Sequence, residues 1–159
     1  MIRLARIAVF AAVIGLGSTD RAFACECALT PVEAVDGAEM VFIGRLVHVD
    51  SNTSISGTGV LTTFGVSFVD VKVEEVFKGK VKVKDAVTVR DGIPGLCYWR
   101  VFSLAKKGER YLVYARRDNS DESRLSADLF CSRTGLVNKA ADQLAVIRPY
   151  AKAHPELRK

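Results

Sequence analysis

The 159-residue chain is poor in the residues and patterns that mark most enzymes. It has only two histidines, His48 and His154, and neither has an obvious nucleophile or carboxylate partner in the sequence. Serine-protease, zinc-protease, phosphate-loop and dinucleotide-binding motifs are all missing. Asp70, Glu74 and Glu75 could act as an acid and a base, but their spacing equally suits a solvated strand edge. The sequence therefore predicts a protein that is not an enzyme and that needs no cofactor.

A hydrophobic run long enough to cross a bilayer is also missing from the N-terminal region. A membrane anchor needs about 20 apolar residues, whereas the apolar run at 7–16 has ten. Two arginines precede this run, and a small-x-small motif follows it at 22–24. That arrangement is typical of a cleaved secretory signal. We expect residues 1–24 to be a signal peptide and residues 25–159 to be secreted or periplasmic.

Positive charge is present but not concentrated along the sequence. Removing the leader, with its three arginines and one aspartate, lowers the formal net charge from +5 to +3. The remaining lysines and arginines are scattered, and no aromatic platform is interleaved with them. A surface that binds phosphate backbones normally shows a clustered basic patch. Nucleic acid is therefore not expected as a partner.

All four cysteines, Cys25, Cys27, Cys97 and Cys131, follow the predicted cleavage site. An even number in an exported chain indicates disulfides. A bond between Cys25 and Cys27 would close a strained ring, so the two remaining pairings each tie the N-terminal segment to two distant places. Metal binding by a lone C-x-C is disfavoured because no second pair of ligands accompanies it.

Cleavage after residue 24 would make Cys25 the first residue of the mature chain. A cysteine in that position is also where bacterial lipidation occurs. A lipobox usually has leucine three residues earlier, and this chain has Ala22 there. We therefore expect no membrane partner after cleavage unless Cys25 is lipidated.

The apolar patterns of the mature chain predict five strands and two helices. The strands are predicted at Met40–Val49, Phe64–Val76, Ala86–Arg90, Arg110–Ala115 and Leu125–Phe130. A short N-terminal helix is predicted at Pro31–Gly37 and a C-terminal helix at Leu136–Ile147. A change of parity near Phe68-Val69 predicts a bulge in the long second strand. These elements favour a mainly β, five-stranded Greek-key barrel of the OB type, since a β-sandwich usually needs about seven strands.

Six short segments also carry a family resemblance. They are Cys25-Glu26-Cys27, Ala38–Arg45, Val76–Gly79, Gly95-Leu96-Cys97, Gly108–Ala115 and Cys131. Together they resemble the N-terminal domain of the tissue inhibitors of metalloproteinases, a netrin-like module with an OB-type barrel. The most specific element is a mature N-terminal C-x-C with cysteines about 70 and 100 residues later. The resemblance implies that residues 25–159 form one such domain, in a minimal single-domain version.

The resemblance also implies a disulfide pairing. In the family the first cysteine joins the middle one and the second joins the late one, which implies Cys25–Cys97 and Cys27–Cys131. The family's third disulfide in this domain has no counterpart, and neither does its cysteine-rich C-terminal domain.

The implied activity is inhibition of zinc metalloproteases. The amino group and carbonyl oxygen of Cys25 would chelate the catalytic zinc of the target protease, and the side chain of Glu26 would enter its specificity pocket. Cys27 would complete this N-terminal site, and residues 94–96 (Pro94-Gly95-Leu96) would widen the contact ridge. The family typically has Thr or Ser where this chain has Glu26, and burying a carboxylate in an apolar pocket costs free energy unless a cation meets it.

Two other classes of function remain open. One is a non-inhibitory, netrin-like protein-binding module of the cell envelope, which would use the barrel surface and the loop at 52–59. The other is an envelope thiol-redox or metal-handling protein built on the C-x-C. Two intact disulfides would leave no reactive thiol for the latter.

Overall fold

The computed structural model describes residues 29–50, 68–91, 101–102, 105–119, 121–127 and 133–159. The α-helices are α1 (Pro31–Gly37) and α2 (Ala141–Ala153), and single 3₁₀ turns cover Val137–Lys139 and Pro155–Arg158. The strands are β1 (Met40–Asp50), β2 (Phe68–Lys78), β3 (Ala86–Arg90), β4 (Arg110–Asp118), β5 (Asp121–Ser126) and the two-residue β6 (Gly135–Leu136).

Five of these strands form a closed ring. Their order is β1-β2-β3-β5-β4, and an additional pairing of β1 with β4 closes the ring. All pairings in the ring are antiparallel except that between β3 and β5, which is parallel. The short β6 pairs with the first half of β4. The predicted five-stranded, OB-like Greek-key barrel with a short N-terminal and a C-terminal helix is confirmed.

Apolar side chains fill two separate cores because β1 and β4 are buried on both faces. Along β1, Met40, Phe42 and Leu46 enter the barrel interior, whereas Val41 and Ile43 face the helices. Such alternation follows from the two-residue period of a strand. The second core holds α1 and α2 against the outside of the barrel, and its members from these helices are Ala34, Val35, Leu144, Ile147 and Ala151.

The short helix α1 is fixed at both ends. Thr30 caps its N-terminus in a capping box with Glu33, in which each side chain accepts the other residue's backbone N–H. At the other end the ammonium group of Lys78, from β2, donates to the carbonyl oxygens of Val35 and Asp36 at 2.9 Å each. A cation at a helix C-terminus complements the helix dipole. These contacts attach α1 to the barrel directly before β1 begins.

The bulge in β2 lies later than the sequence predicts. Phe68 and Val69 pair with β3 without a shift in register, so the prediction of a bulge there is wrong. Against β1 the register shifts at three places: Val47 is the extra residue in β1 opposite Asp70 and Val71, whereas Glu74 and Phe77 are the extra residues in β2. At the first shift within β2, Val73 stays buried in the barrel and the carboxylate of Glu74 binds Arg45 and Arg110 at the surface. Residues 64–67 of the predicted strand lie outside the described residues.

The C-terminal helix also begins later than predicted. Leu136 pairs with Tyr111 as part of β6, and α2 starts only at Ala141. The helical spacing was correct for Leu144 and Ile147, which are both buried. Similarly, β5 (Asp121–Ser126) begins earlier than the predicted Leu125–Phe130, because its first residues form a hairpin with the end of β4. Residues 128–130 of that prediction lie outside the described residues.

Gly44 in β1 should tolerate no side chain. A Cβ atom there would clash with the Cγ1 atom of Val71 and lie 3.1 Å from the carbonyl oxygen of Lys72. Since Val71 is fully buried, relieving the clash must disturb the barrel core. We expect Gly44→Ala to lower the free energy of unfolding by about 1–3 kcal/mol, as measured by urea denaturation. The matched control is Gly37→Ala, because nothing lies within 4 Å of a Cβ at Gly37. Equal losses in both variants would contradict the prediction.

Candidate functional site

The site that the sequence predicts lies outside the described residues. This applies to Cys25, Glu26 and Cys27, to the ridge at 94–96, and to Cys97 and Cys131. The residues that flank these segments are described, and they fix where each segment leaves the barrel.

The parallel pair of strands brings two of these segments to one place. Val89 pairs with Leu125 and Arg90 with Ser126, and the N–H of Ala127 donates to the carbonyl oxygen of Arg90 at 3.0 Å. The carboxyl ends of parallel strands lie at the same edge of a sheet. We call this place, formed by Arg90, Asp91, Ser126 and Ala127, the exit edge. The segment with Cys97 follows β3, and the segment with Cys131 follows β5, so both segments start at the exit edge.

Asp91 joins the two ends of the segment at 92–100. Its side chain is only 1% exposed, and its carboxylate oxygens accept the N–H groups of Val101 at 3.0 Å and Phe102 at 3.2 Å. Phe102 is buried in the barrel interior, where its ring packs against Tyr111 at a centroid distance of 5.0 Å. The segment at 92–100 therefore starts and ends at the exit edge.

The N-terminal segment meets the segment that follows β5. The guanidinium group of Arg133 donates to the carbonyl oxygen of Leu29 from Nε at 2.8 Å and also from Nη2. Thr134, the next residue, is fixed to β4 because its hydroxyl accepts the N–H of Tyr114 at 2.9 Å. Leu29 and Arg133 each lie two residues after a cysteine, namely Cys27 and Cys131.

A buried ion pair braces the exit edge. Nε of Arg90 lies 3.1 Å from an Oδ2 oxygen of Asp118, and the two side chains are 16% and 1% exposed. Nη2 of Arg90 also approaches the hydroxyl of Ser126 at 3.4 Å. Removing one partner of a buried pair is costly because the other charge stays desolvated. The pair thus links β3, β4 and β5 where the segments at 92–100 and 128–132 start.

The sequence reasoning missed this bracing. Nothing in the local pattern distinguishes Arg90, Asp91 and Asp118 from charged residues at solvated strand ends. The only local signal is a charged pair, Arg90-Asp91, that directly follows the alternating strand β3. Its burial depends on β4 and β5, which follow about 20 or more residues later.

The carboxylates on β2 form structural ion pairs rather than an acid–base pair. Glu74 binds Nε of Arg110 at 2.6 Å and Nε of Arg45 at 2.8 Å. Partial burial acts to raise the pKa of Glu74, but the guanidinium groups of Arg110 and Arg45 lower that pKa below its ordinary value. Glu75 binds Nη2 of Arg148 at 2.9 Å. Both carboxylates thus hold neighbouring elements against β2.

The remaining acid–base candidates are also held in local contacts or exposed. Asp70 accepts the hydroxyl of Thr88 at 2.7 Å, and Nδ1 of His154 lies 2.9 Å from Glu156. His48 is exposed. Within the described ranges, no group of three or more His, Cys, Asp or Glu residues is arranged to hold a metal ion.

Replacing Asp91 should loosen the exit edge without unfolding the barrel. In Asp91→Asn the amide nitrogen cannot accept an N–H, so at least one of the donors at Val101 and Phe102 loses its partner. An unsatisfied buried group costs about 1–3 kcal/mol, and we expect that loss in urea denaturation. The matched control is Asp85→Asn, whose carboxylate is exposed and accepts the N–H of Lys82. The prediction fails if the control loses as much stability as Asp91→Asn.

The remaining observations concern membrane-spanning helices and similarity to known proteins. No helix among the described residues is both long enough and apolar enough to cross a bilayer. Comparison with models of known protein families and with curated proteins finds no match to this chain.

Proposed function

We propose that the chain is an exported metalloprotease inhibitor that binds the catalytic zinc of its target through the amino group and carbonyl oxygen of Cys25. The observation that supports the proposal is the position of the flanking residues. The segments with Cys97 and Cys131 start at one edge of the barrel, and Arg133 binds the backbone two residues after Cys27. This arrangement favours disulfides that hold the mature N-terminus at the exit edge.

The proposed pairing is Cys25 with Cys97 and Cys27 with Cys131. A disulfide needs Cα atoms about 4.4–6.8 Å apart, and the contact between Leu29 and Arg133 joins two residues that each follow a member of the second pair by two positions. The two bridges would close loops of about 70 and about 100 residues, which in the loop-entropy description stabilises a fold by about 4 kcal/mol each. The first bridge would tie the N-terminus to the segment that Asp91 closes.

The chemistry follows from what a catalytic zinc site offers. Such a zinc keeps one coordination position for water. An α-amino group with a pKa of about 7.7–8.0 is partly neutral at pH 7, and its nitrogen can replace that water while the carbonyl oxygen of Cys25 completes a five-membered chelate. A disulfide at Cys25 would hold both atoms in place before binding, which reduces the entropy lost on association.

Glu26 sets the kind of protease that this N-terminus suits. Its side chain follows the chelating residue and would enter the specificity pocket next to the zinc. An apolar pocket would leave the carboxylate desolvated and unpaired. We therefore propose a target whose specificity pocket contains a basic side chain, which would pair with Glu26.

The proposal is tested by assaying the exported protein against a panel of zinc metalloproteases that includes members with a basic specificity pocket. The same protein with one alanine before Cys25 serves as the inactive form. Intact mass and N-terminal sequencing must first show cleavage after residue 24, two disulfides and no acyl chain. Equal inhibition by the two forms would disprove chelation through Cys25.

Glu26 also favours a second candidate, a non-inhibitory binding module of the cell envelope. That function would hold if the correctly processed protein inhibits none of the proteases and still captures a partner through the barrel surface. Free thiols at the four cysteines would instead indicate the thiol-redox protein, and titration of thiols in the isolated protein detects them.

A further inference from the structure

The turn between β2 and β3 exposes several positive charges and one apolar side chain. Lys80, Lys82 and Lys84 are all exposed, and the side chain of Val83 between the last two is 54% exposed. The turn starts at Gly79, which has a φ of +91°. A Cβ at Gly79 would lie 2.5 Å from Cγ of Met40 and 2.8 Å from the carbonyl oxygen of Glu39. The backbone at Gly79 thus lies against the start of β1, and the lysines after it face solvent.

The fold adds three distant basic residues to this turn. The N–H of Gly79 donates to the carbonyl oxygen of Leu157 at 2.8 Å, which places the C-terminal residues beside the turn. One groove next to Gly79 is lined by Lys82 and Arg158, and another by Lys80, Arg117 and Lys159. We call these residues together with Lys84 the basic patch. Residues that are scattered in the sequence therefore share one surface.

The carboxylates in the two grooves do not cancel the positive charge of this surface. Glu74 and Glu75 line the first groove, but both are bound by arginines from outside the patch. Glu39 lines the second groove, where its carboxylate accepts the backbone N–H of Arg117 at 3.3 Å and leaves the guanidinium group available. Asp85 ends the turn and accepts the N–H of Lys82. The six cations of the patch thus outnumber the carboxylates that are not bound by other arginines.

We propose that the basic patch binds the surface of an anionic phospholipid membrane. The free energy of exposed lysines and arginines falls near anionic headgroups, because opposite charges attract. An apolar side chain among them can enter the boundary between the headgroups and the acyl chains. Val83 occupies that position in the basic turn. The charges are spread along two open grooves and a turn, which suits many weakly bound headgroups better than one compact ligand. This binding needs no acyl chain on Cys25, in contrast to the expectation from the sequence, because the fold gathers basic residues that are separated along the chain. It is separate from the proposed inhibition.

The experiment measures co-sedimentation of the exported, non-acylated protein with vesicles. Vesicles of phosphatidylcholine are compared with vesicles that also contain phosphatidylglycerol, at low and at high salt. We expect binding only to the anionic vesicles, and weaker binding at high salt because exposed charges are screened. A basic residue near such a surface contributes about a fivefold gain in binding, so Lys80→Gln with Lys82→Gln should weaken it about 25-fold.

A matched variant separates the patch from the net charge of the protein. Lys106→Gln with Lys107→Gln removes the same amount of charge from the turn before β4. This turn lies away from the patch, because the N–H of Gly108 donates to the carbonyl oxygen of Leu46, six residues along β1 from Met40. This control should bind the vesicles as the unaltered protein does. Equal weakening in both double variants would overturn the proposal, and so would the absence of binding to anionic vesicles at low salt. Binding to polyglutamate without binding to vesicles would also overturn it and would indicate an acidic polypeptide as the partner.

Discussion

One alanine added before Cys25 should abolish the proposed inhibition of a zinc metalloprotease. The addition converts the α-amino nitrogen into a peptide nitrogen, which has no available lone pair and is a poor zinc ligand. The new residue would also occupy the space next to the zinc. We expect the inhibition constant to rise at least about a thousandfold, which corresponds to about 4 kcal/mol of binding free energy. The measurement is the inhibition constant of each form against the most sensitive protease of the panel.

The control for this prediction is an alanine added after Lys159, at the other terminus. It changes the length of the chain equally and leaves the N-terminus free. Both extended forms should unfold at the same urea concentration as the unaltered protein, since Lys159 is exposed and the first described element begins only at Pro31. If only the N-terminal addition abolishes inhibition, chelation by Cys25 is supported. If the two additions act alike, another surface carries the inhibition.

The second large predicted effect is a loss of folding stability at alkaline pH. Burial, with a smaller contribution from the Glu109 carboxylate, raises the pKa of Tyr111 from 10.0 to about 12. Burial also raises the pKa of Tyr114 from 10.0 to about 12, which the guanidinium group of Arg133 opposes only in part. In the unfolded chain both phenols lose their protons near their ordinary pKa of about 10. The unfolded state therefore binds fewer protons between about pH 10 and about pH 12, and stability falls as the pH rises through this range.

The size of this loss follows from the shifts. One pKa unit corresponds to about 1.4 kcal/mol, so each tyrosine should cost about 2–3 kcal/mol when the pH passes 12. Urea denaturation at increasing pH measures how steeply the free energy of unfolding falls with pH. The absorbance of the phenolate reports the ionisation of the tyrosines itself. Tyr114→Phe also removes a hydrogen bond to Gln143, so it should be less stable at pH 8 but lose less on going to high pH. A slope as steep as that of the unaltered protein would contradict the assigned cause.

The parts of the fold that the sequence predicted correctly are those specified by local signals. The bounds of α1 follow from Pro31 and from the glycine at its end, and β3 follows from a short alternating run. The register shifts in β2 were misplaced because they depend on how β2 pairs with β1, which lies about 20 or more residues earlier in the chain. A parity pattern in one strand does not contain that information.

The same distinction applies to the candidate site. The four cysteines and their order are visible in the sequence, and they led to the proposed N-terminal site. The exit edge could not be predicted, because the burial of Asp91 and the pairing of Arg90 with Asp118 arise only when β3, β4 and β5 meet. Whether a charged residue is solvated or buried depends on neighbours that are distant in the chain.

The burial of β1 and β4 on both faces also determines where the sequence can vary. From Tyr111 to Ala115 five consecutive residues of β4 are buried, and any change of volume there must be accommodated by close-packed neighbours. In the turn at Gly79–Lys84, Val81 packs against the barrel core, whereas Lys80 and the run Lys82–Lys84 are exposed. We therefore expect substitutions at these exposed turn residues to be tolerated much better than changes of side-chain volume in β1 or β4.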